Sequence, residues 1–231
     1  MTYKGKKFSV LGDSISTLEG CNPPDYAVFY QGEMKYRSGV YAIDDTWWGI
    51  VIKTLGGELL KNDSWSGSLV CKHSMAEVPS YACSEKRTSS LGSGDIFPDV
   101  VMIFMGINDL GMNLKISPSC VAERSDLSIF TVAYKTMLSE IKRNYPHAEI
   151  MCITLPKVSA REQIPYYMNF SGDRLADYSA AIKKCAEDEG CTVIDLNNSP
   201  LKYSSIDGCH PTKQGMQEIA EEILKILRGD L

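Results

Sequence analysis

Short apolar runs alternate along this chain with segments whose apolar residues recur every three or four positions. Lys7-Phe8-Ser9-Val10-Leu11 reads as a first strand. From Thr46 to Leu55 the spacing predicts a helix, with Trp47, Ile50, Val51 and Leu55 near one face. Glu58 to Lys61 starts a second strand, and Val100 to Met105 forms a third, apolar throughout as in a buried parallel sheet. Leu127, Phe130, Tyr134, Met137, Leu138 and Ile141 predict a helix that Asp126 could cap. Ile150 to Leu155 is the fourth strand. Leu175, Tyr178, Ile182 and Cys185 mark a helix closed by Gly190. Thr192 to Asp195 is the fifth strand. Thr212 to Leu227 is the last helix, with Met216, Ile219, Ile223 and Leu227 on one face.

Strands alternating with helices argue for an α/β fold, with a five-stranded parallel sheet and right-handed crossovers. No repeat, linker or low-complexity segment interrupts the pattern, so residues 1–231 read as one domain. Two stretches look inserted. The first, 19–45, holds Pro23-Pro24, Gly32 and Gly39 and should be mostly loop. With Trp47 and Trp48 it carries seven of the chain's 21 aromatics: Tyr26, Phe29, Tyr30, Tyr36, Tyr41 and the two tryptophans. Such rings suit sugar faces, acyl chains or a partner subunit, or they close the fold's own edge. The second, 156–173, follows strand four and holds Arg161, Tyr166, Tyr167 and Phe170.

Composition narrows the function. Hydrophobic residues make up 44% and charged residues 23%, as in an ordinary globular protein. The net charge is −5 and no basic run could track a phosphate backbone, which argues against nucleic acid as a partner. No apolar stretch approaches the ~20 residues of a membrane span. The apolar stretch behind Met1–Lys7 is too short for a signal peptide, so a cytoplasmic location is expected. The eight cysteines (21, 71, 83, 120, 152, 185, 191 and 209) form no Cys-x-x-Cys pair, and only His73 and His210 lie near any of them. Reduced thiols, no metal and no cofactor are the expectation.

Four short blocks carry the chemistry. Gly12-Asp13-Ser14-Ile15 sits where the first strand should end. Ser64-Trp65-Ser66-Gly67-Ser68 follows the second, and Gly106-Ile107-Asn108-Asp109 the third. Asp207-Gly208-Cys209-His210-Pro211 precedes the last helix. A hydroxyl needs a base to become a nucleophile near pH 7, and the base needs an acid to fix its tautomer. Ser14, His210 and Asp207 supply that set. Asp207 and His210 are three positions apart, so one tight turn can present both. Asn108 and the N–H of Gly67 can donate to a developing oxyanion. The N–H of Ser14 is expected at a helix N-terminus, beside the same charge. Each block alone is ordinary turn chemistry. Cys209 is a rival nucleophile, but Ser14 has the better context.

Taken together, in this order, the blocks resemble those of the SGNH hydrolases, also called the GDSL esterase/lipase family. Ser14, Gly67, Asn108 and His210 would be the four residues that name it. Gly-Asp-Ser-Ile stands for the commoner Gly-Asp-Ser-Leu, while Trp-Ser-Gly-Ser departs from the usual Asn-x-Gly. The resemblance implies a three-layer α/β/α, flavodoxin-like fold, ester hydrolysis through an acyl-serine, and no metal. Small O-acyl esters, acetyl esters of a carbohydrate-like alcohol above all, are the expected substrates. Substrate contacts are expected from Asp13, Trp47, Arg161 and Tyr166. A lysophospholipase or thioesterase of the same family is the nearest alternative. A non-catalytic module that binds a glycan or a partner is the competing class.

Overall fold

A computed structural model describes residues 3–73, 80–157 and 174–229. Five parallel strands form one sheet: β1 (Lys7–Gly12), β2 (Glu58–Asn62), β3 (Val100–Phe104), β4 (Glu149–Ile153) and β5 (Thr192–Ile194). Their order is β2-β1-β3-β4-β5. β3 is buried along its whole length, which explains why it reads as an unbroken apolar run.

The helices are α1 (Glu33–Ser38), α2 (Trp47–Leu55), α3 (Glu85–Thr88), α4 (Ile107–Gly111), α5 (Phe130–Asn144), α6 (Arg174–Asp188) and α7 (Lys213–Arg228). α2 packs with α7, and α5 packs with α6. Their apolar faces enter one core with the sheet: Trp47, Trp48 and Val51 from α2, Tyr134, Met137 and Leu138 from α5, and Met216, Ile219 and Ile223 from α7. Thr46 and Thr212 cap α2 and α7 through their side chains, accepting from the N–H of Gly49 and Gly215.

Two local expectations need correction. Asp126 does not cap α5, which begins four residues later at Phe130. Its carboxylate closes a turn on the N–H of Ser128 at 2.9 Å. The first N–H groups of α5, from Phe130 and Thr131, donate instead to the carbonyls of Lys115 and Ile116. The helix expected after Ser14 is a single 3-10 turn, Ser14–Ser16, too short to contribute much of a macrodipole. Among the described residues no helix is long and apolar enough to cross a membrane.

In this strand order the chain reverses direction across the sheet between β1 and β3. That crevice, outside the carboxyl ends of the strands, is where such sheets bind ligands. Ser14 follows β1 and Asn108 follows β3.

Candidate active site

Ser14 lies two residues beyond β1, nearly buried at 5% exposure. The turn that presents it is tight. A Cβ on Gly12 would stand 2.6 Å from Ser16 Cβ and 2.8 Å from Ser64 Oγ, so only glycine fits there. Asp13 turns back under the serine, and its Oδ1 accepts from the N–H of Ile15 at 3.0 Å. Thr17 Oγ1 donates to the Ser14 carbonyl at 2.9 Å.

His210 arrives from the other end of the chain. Its Nε2 lies 2.9 Å from Ser14 Oγ and its Nδ1 lies 2.7 Å from Asp207 Oδ2. The second Asp207 oxygen accepts from the N–H of Cys209 at 3.0 Å and of His210 at 2.8 Å. The Asp207–His210 turn thus closes on itself, with Gly208 at φ +85°. Hydrogen bonds to the imidazole and to the two N–H groups outweigh partial burial and hold the Asp207 carboxyl down at about 2. It is an anion throughout the working range. An anionic carboxylate fixes the proton on Nδ1 and leaves Nε2 free to accept the serine proton.

The loop is fastened from outside. Tyr30 Oη donates to the Pro211 carbonyl at 2.9 Å and Tyr203 Oη to the Cys209 carbonyl at 3.0 Å. The Phe29 ring lies flat on the imidazole. The N–H of Phe29 donates to Thr17 Oγ1 at 2.9 Å, so the 19–45 segment is tied to both ends of the chain of contacts.

Gly67 and Asn108 are the remaining candidates. Gly67 is exposed, has φ +78°, and an added Cβ would meet nothing within 4 Å. Among the described residues the N–H groups of Ser14 and Gly67 have no acceptor. Asn108, in the first turn of α4, donates one Nδ2 hydrogen to the Ser68 carbonyl at 2.9 Å. Its second N–H remains for a ligand. Asp109 is buried and its carboxylate accepts from the N–H of Val70 at 2.9 Å and of Cys71 at 3.0 Å. Burial pushes its carboxyl up, against the pull of those donors.

This arrangement places a hydroxyl, an imidazole and a carboxylate in hydrogen-bonded series. It is the constellation that acyl transfer requires. The GDSL-like lipase/acylhydrolase family profile matches residues 6–227. The chain belongs to that family. It is an ester-hydrolysing serine hydrolase with a three-layer α/β fold.

A GDSL-like lipase structure from Bacteroides ovatus is 24% identical to this family member. The match covers 98% of this chain and 99% of that one, with a TM-score of 0.73. Est24, a carbohydrate acetylesterase from Sinorhizobium meliloti, is 12% identical over 98% of this chain and 100% of its own, with a TM-score of 0.67. By sequence, the cellulase/esterase CelE of Acetivibrio thermocellus is 37% identical over 59 residues. Those residues are 26% of this chain and 6% of that far longer protein.

Several expected contacts are not where the sequence placed them. Trp47 is fully buried and cannot face a substrate. Its indole N–H donates to Ser16 Oγ at 3.1 Å, and its ring meets Phe104 edge-on. The reason is its place on the apolar face of α2, turned to the core. Asp13 is 1% exposed and its carboxyl is committed to the Ile15 N–H, so it reaches no substrate either. Burial, with Asp109 nearby, raises it to about 7 against the pull of Ile15 N–H and Arg87. Arg161 and Tyr166 lie outside the described residues. Cys209 is buried, and none of the eight cysteines forms a disulfide. Among the described residues no group of three His, Cys, Asp or Glu is arranged to hold a metal ion.

Of the 19–45 aromatics, Tyr30 is core and Tyr26 stacks on Trp65 with centroids 4.0 Å apart, while Tyr36 and Tyr41 face solvent. Sequence reasoning missed Phe29 as a neighbour of the imidazole, and Arg87 altogether. A lone Arg in the polar stretch Ser84–Ser90 carries no signal that it is buried.

Proposed function

We propose that Ser14 is the nucleophile, His210 the general base and Asp207 its orienting acid. The proposed reaction is hydrolysis of short O-acyl esters, acetyl esters of carbohydrate-like alcohols foremost. The observation that carries this reading is the unbroken series Ser14 Oγ to His210 Nε2 at 2.9 Å and His210 Nδ1 to Asp207 Oδ2 at 2.7 Å.

His210 takes the Ser14 proton as the oxygen attacks the ester carbonyl. The resulting imidazolium is stabilised by Asp207. The developing oxyanion accepts from the N–H of Ser14, the N–H of Gly67 and the free Nδ2–H of Asn108. His210 then protonates the departing alcohol. Water, deprotonated by the same imidazole, releases the acid from the acyl-serine. The preference for acetylated sugars is supported by an aromatic ring at the site, Phe29 on the His210 imidazole, and accords with the carbohydrate esterases among the similar proteins.

The test has two parts. A fluorophosphonate should label the wild type at Ser14, located by peptide mapping. A p-nitrophenyl ester series from acetate to laurate, run beside a panel of acetylated sugars, should give turnover on the shortest esters. A folded wild type that takes no label and hydrolyses no ester would end the reading in favour of a binding module.

A further inference from the structure

We infer that Arg87 is a positioning residue for the oxyanion donors, acting through Ser68. The inference rests on the reaction proposed above. Arg87 is fully buried, and its guanidinium uses all five N–H groups. Nε donates to Asp63 Oδ2 at 2.7 Å. One terminal nitrogen donates to Ser68 Oγ at 2.9 Å and to the Ser80 carbonyl. The other donates to the Asp63 carbonyl at 2.6 Å and the Gly12 carbonyl at 3.3 Å.

These acceptors are not scattered. Gly12 ends β1, two residues before Ser14. Asp63 directly follows β2. Ser68 follows Gly67, and its carbonyl is the acceptor that holds Asn108 Nδ2. One planar cation therefore gathers the backbone around all three proposed donors: Ser14 N–H, Gly67 N–H and Asn108 Nδ2. The link through Ser68 is the most direct. Its hydroxyl accepts from Arg87 and donates to the Ser80 carbonyl at 2.7 Å, while its carbonyl sets the Asn108 amide. The Tyr26 and Trp65 rings cover the guanidinium, with Cζ 5.4 Å and 6.0 Å from their centroids. A rigid fork is required here. Lysine offers three donors on a single nitrogen and cannot reach five acceptors in these directions.

The donors matter most when the carbonyl oxygen becomes an anion, so their misplacement should appear in kcat rather than KM. Arg87→Lys should lower kcat roughly 10- to 100-fold with KM within about twofold. Ser68→Ala should do the same, and Ser68→Thr, which keeps the hydroxyl, should recover most of the loss. Because both residues act through one link, Arg87→Lys added to Ser68→Ala should cost far less than it does alone. Inhibition by a short alkylboronic acid, whose serine adduct is tetrahedral, should weaken in step with kcat/KM. The inference falls if folded Arg87→Lys keeps kcat within twofold, or if the two substitutions multiply as independent losses. Should Arg87→Lys fail to fold, the Ser68 pair decides alone: a Ser68→Ala enzyme with wild-type kcat overturns it. A wild type without Ser14 labelling or ester turnover would overturn the reaction and this inference together. A labelled, active wild type with indifferent variants would overturn only this inference.

Discussion

The Phe29 ring stacks on the His210 imidazole, with centroids 3.6 Å apart and planes within 7° of parallel. The ring thus covers one face of the proposed base and fixes its plane. Its π face is also well placed to stabilise the imidazolium that forms as Ser14 attacks. Such contacts are worth about 0.5–2 kcal/mol, which corresponds to roughly 2- to 30-fold in rate. Phe29→Leu should therefore lower kcat by that factor, and Phe29→Tyr should keep most of it. A Leu variant with unaltered kcat would reduce Phe29 to a packing residue.

Ser14→Ala should lower ester turnover by at least ~10³-fold in a folded protein, since a triad acts as a unit. Asp207→Asn should cost less than His210→Ala, because solvent can partly replace an orienting group. Thermal melts and near-ultraviolet circular dichroism would establish that the variants fold. An active alanine variant would remove Ser14 from the mechanism.

The depressed Asp207 carboxyl makes a prediction about pH. At about 2 it stays ionised well below the ordinary carboxylate range. Between pH 3 and 5 Asp207 should therefore add no ionisation of its own to the profile of kcat/KM. An Asp207 carboxyl resonance that shifts within that window in a carbon-13 NMR titration would overturn this. The folded value lies below the unfolded one, so the pair's stability is present above about pH 4 and is lost as pH falls towards 2. Solvent reaches the Asp207 side chain, so this contribution is screened and modest.

Asp13 works in the opposite direction. Its folded value is raised to about 7, chiefly by burial. Between about pH 4 and 7 the unfolded chain releases this proton while the native protein keeps it. The group therefore costs stability progressively as pH rises through that window. Asp13→Asn retains an acceptor for the Ile15 N–H and cannot ionise. Melting temperatures from pH 4 to 8 should show the variant gaining on the wild type up to about pH 7 and levelling beyond it. A constant difference across the range would mean that Asp13 does not titrate there.

The fold was legible because its apolar runs are physically forced. A parallel sheet covered on both faces leaves no polar position in β3, and α7 carries a clean apolar stripe. The candidate site was legible because its four blocks sit at strand ends and before the last helix, where topology must bring them to one edge. What escaped was set by tertiary packing. Trp47 looked like a ligand platform within an aromatic-rich stretch, yet its helix periodicity already pointed it inward. Phe29 meets His210 across 181 positions of sequence, a contact no local pattern encodes. Arg87 is buried by five acceptors drawn from separate segments, and no charge pattern marks it. Asp126 looked like a helix cap, but the α5 N-terminus is satisfied by the carbonyls of Lys115 and Ile116.

Acyl-chain length gives the sharpest test of substrate class. In a fitted apolar groove each added methylene is worth about 0.8 kcal/mol, or roughly fourfold in kcat/KM. The aromatic rings of this region are already engaged elsewhere. Phe29 is stacked on His210, Tyr26 is stacked on Trp65, and Trp47 is sealed in the core. The proposed oxyanion donors are the polar Asn108 and the exposed backbone of Gly67. The 19–45 segment adds the exposed Asp25, Glu33, Arg37 and Asp44, which keep its outer surface wet. Lys86 lies over the Tyr26 and Trp65 rings at 5.1 and 5.2 Å, placing a charge on that pair. Acetyl and propionyl esters should therefore be the best p-nitrophenyl substrates, with octanoyl and longer esters poor. A kcat/KM that climbs through octanoate would sink the deacetylase reading and assign the enzyme to long-chain lipids or thioesters instead.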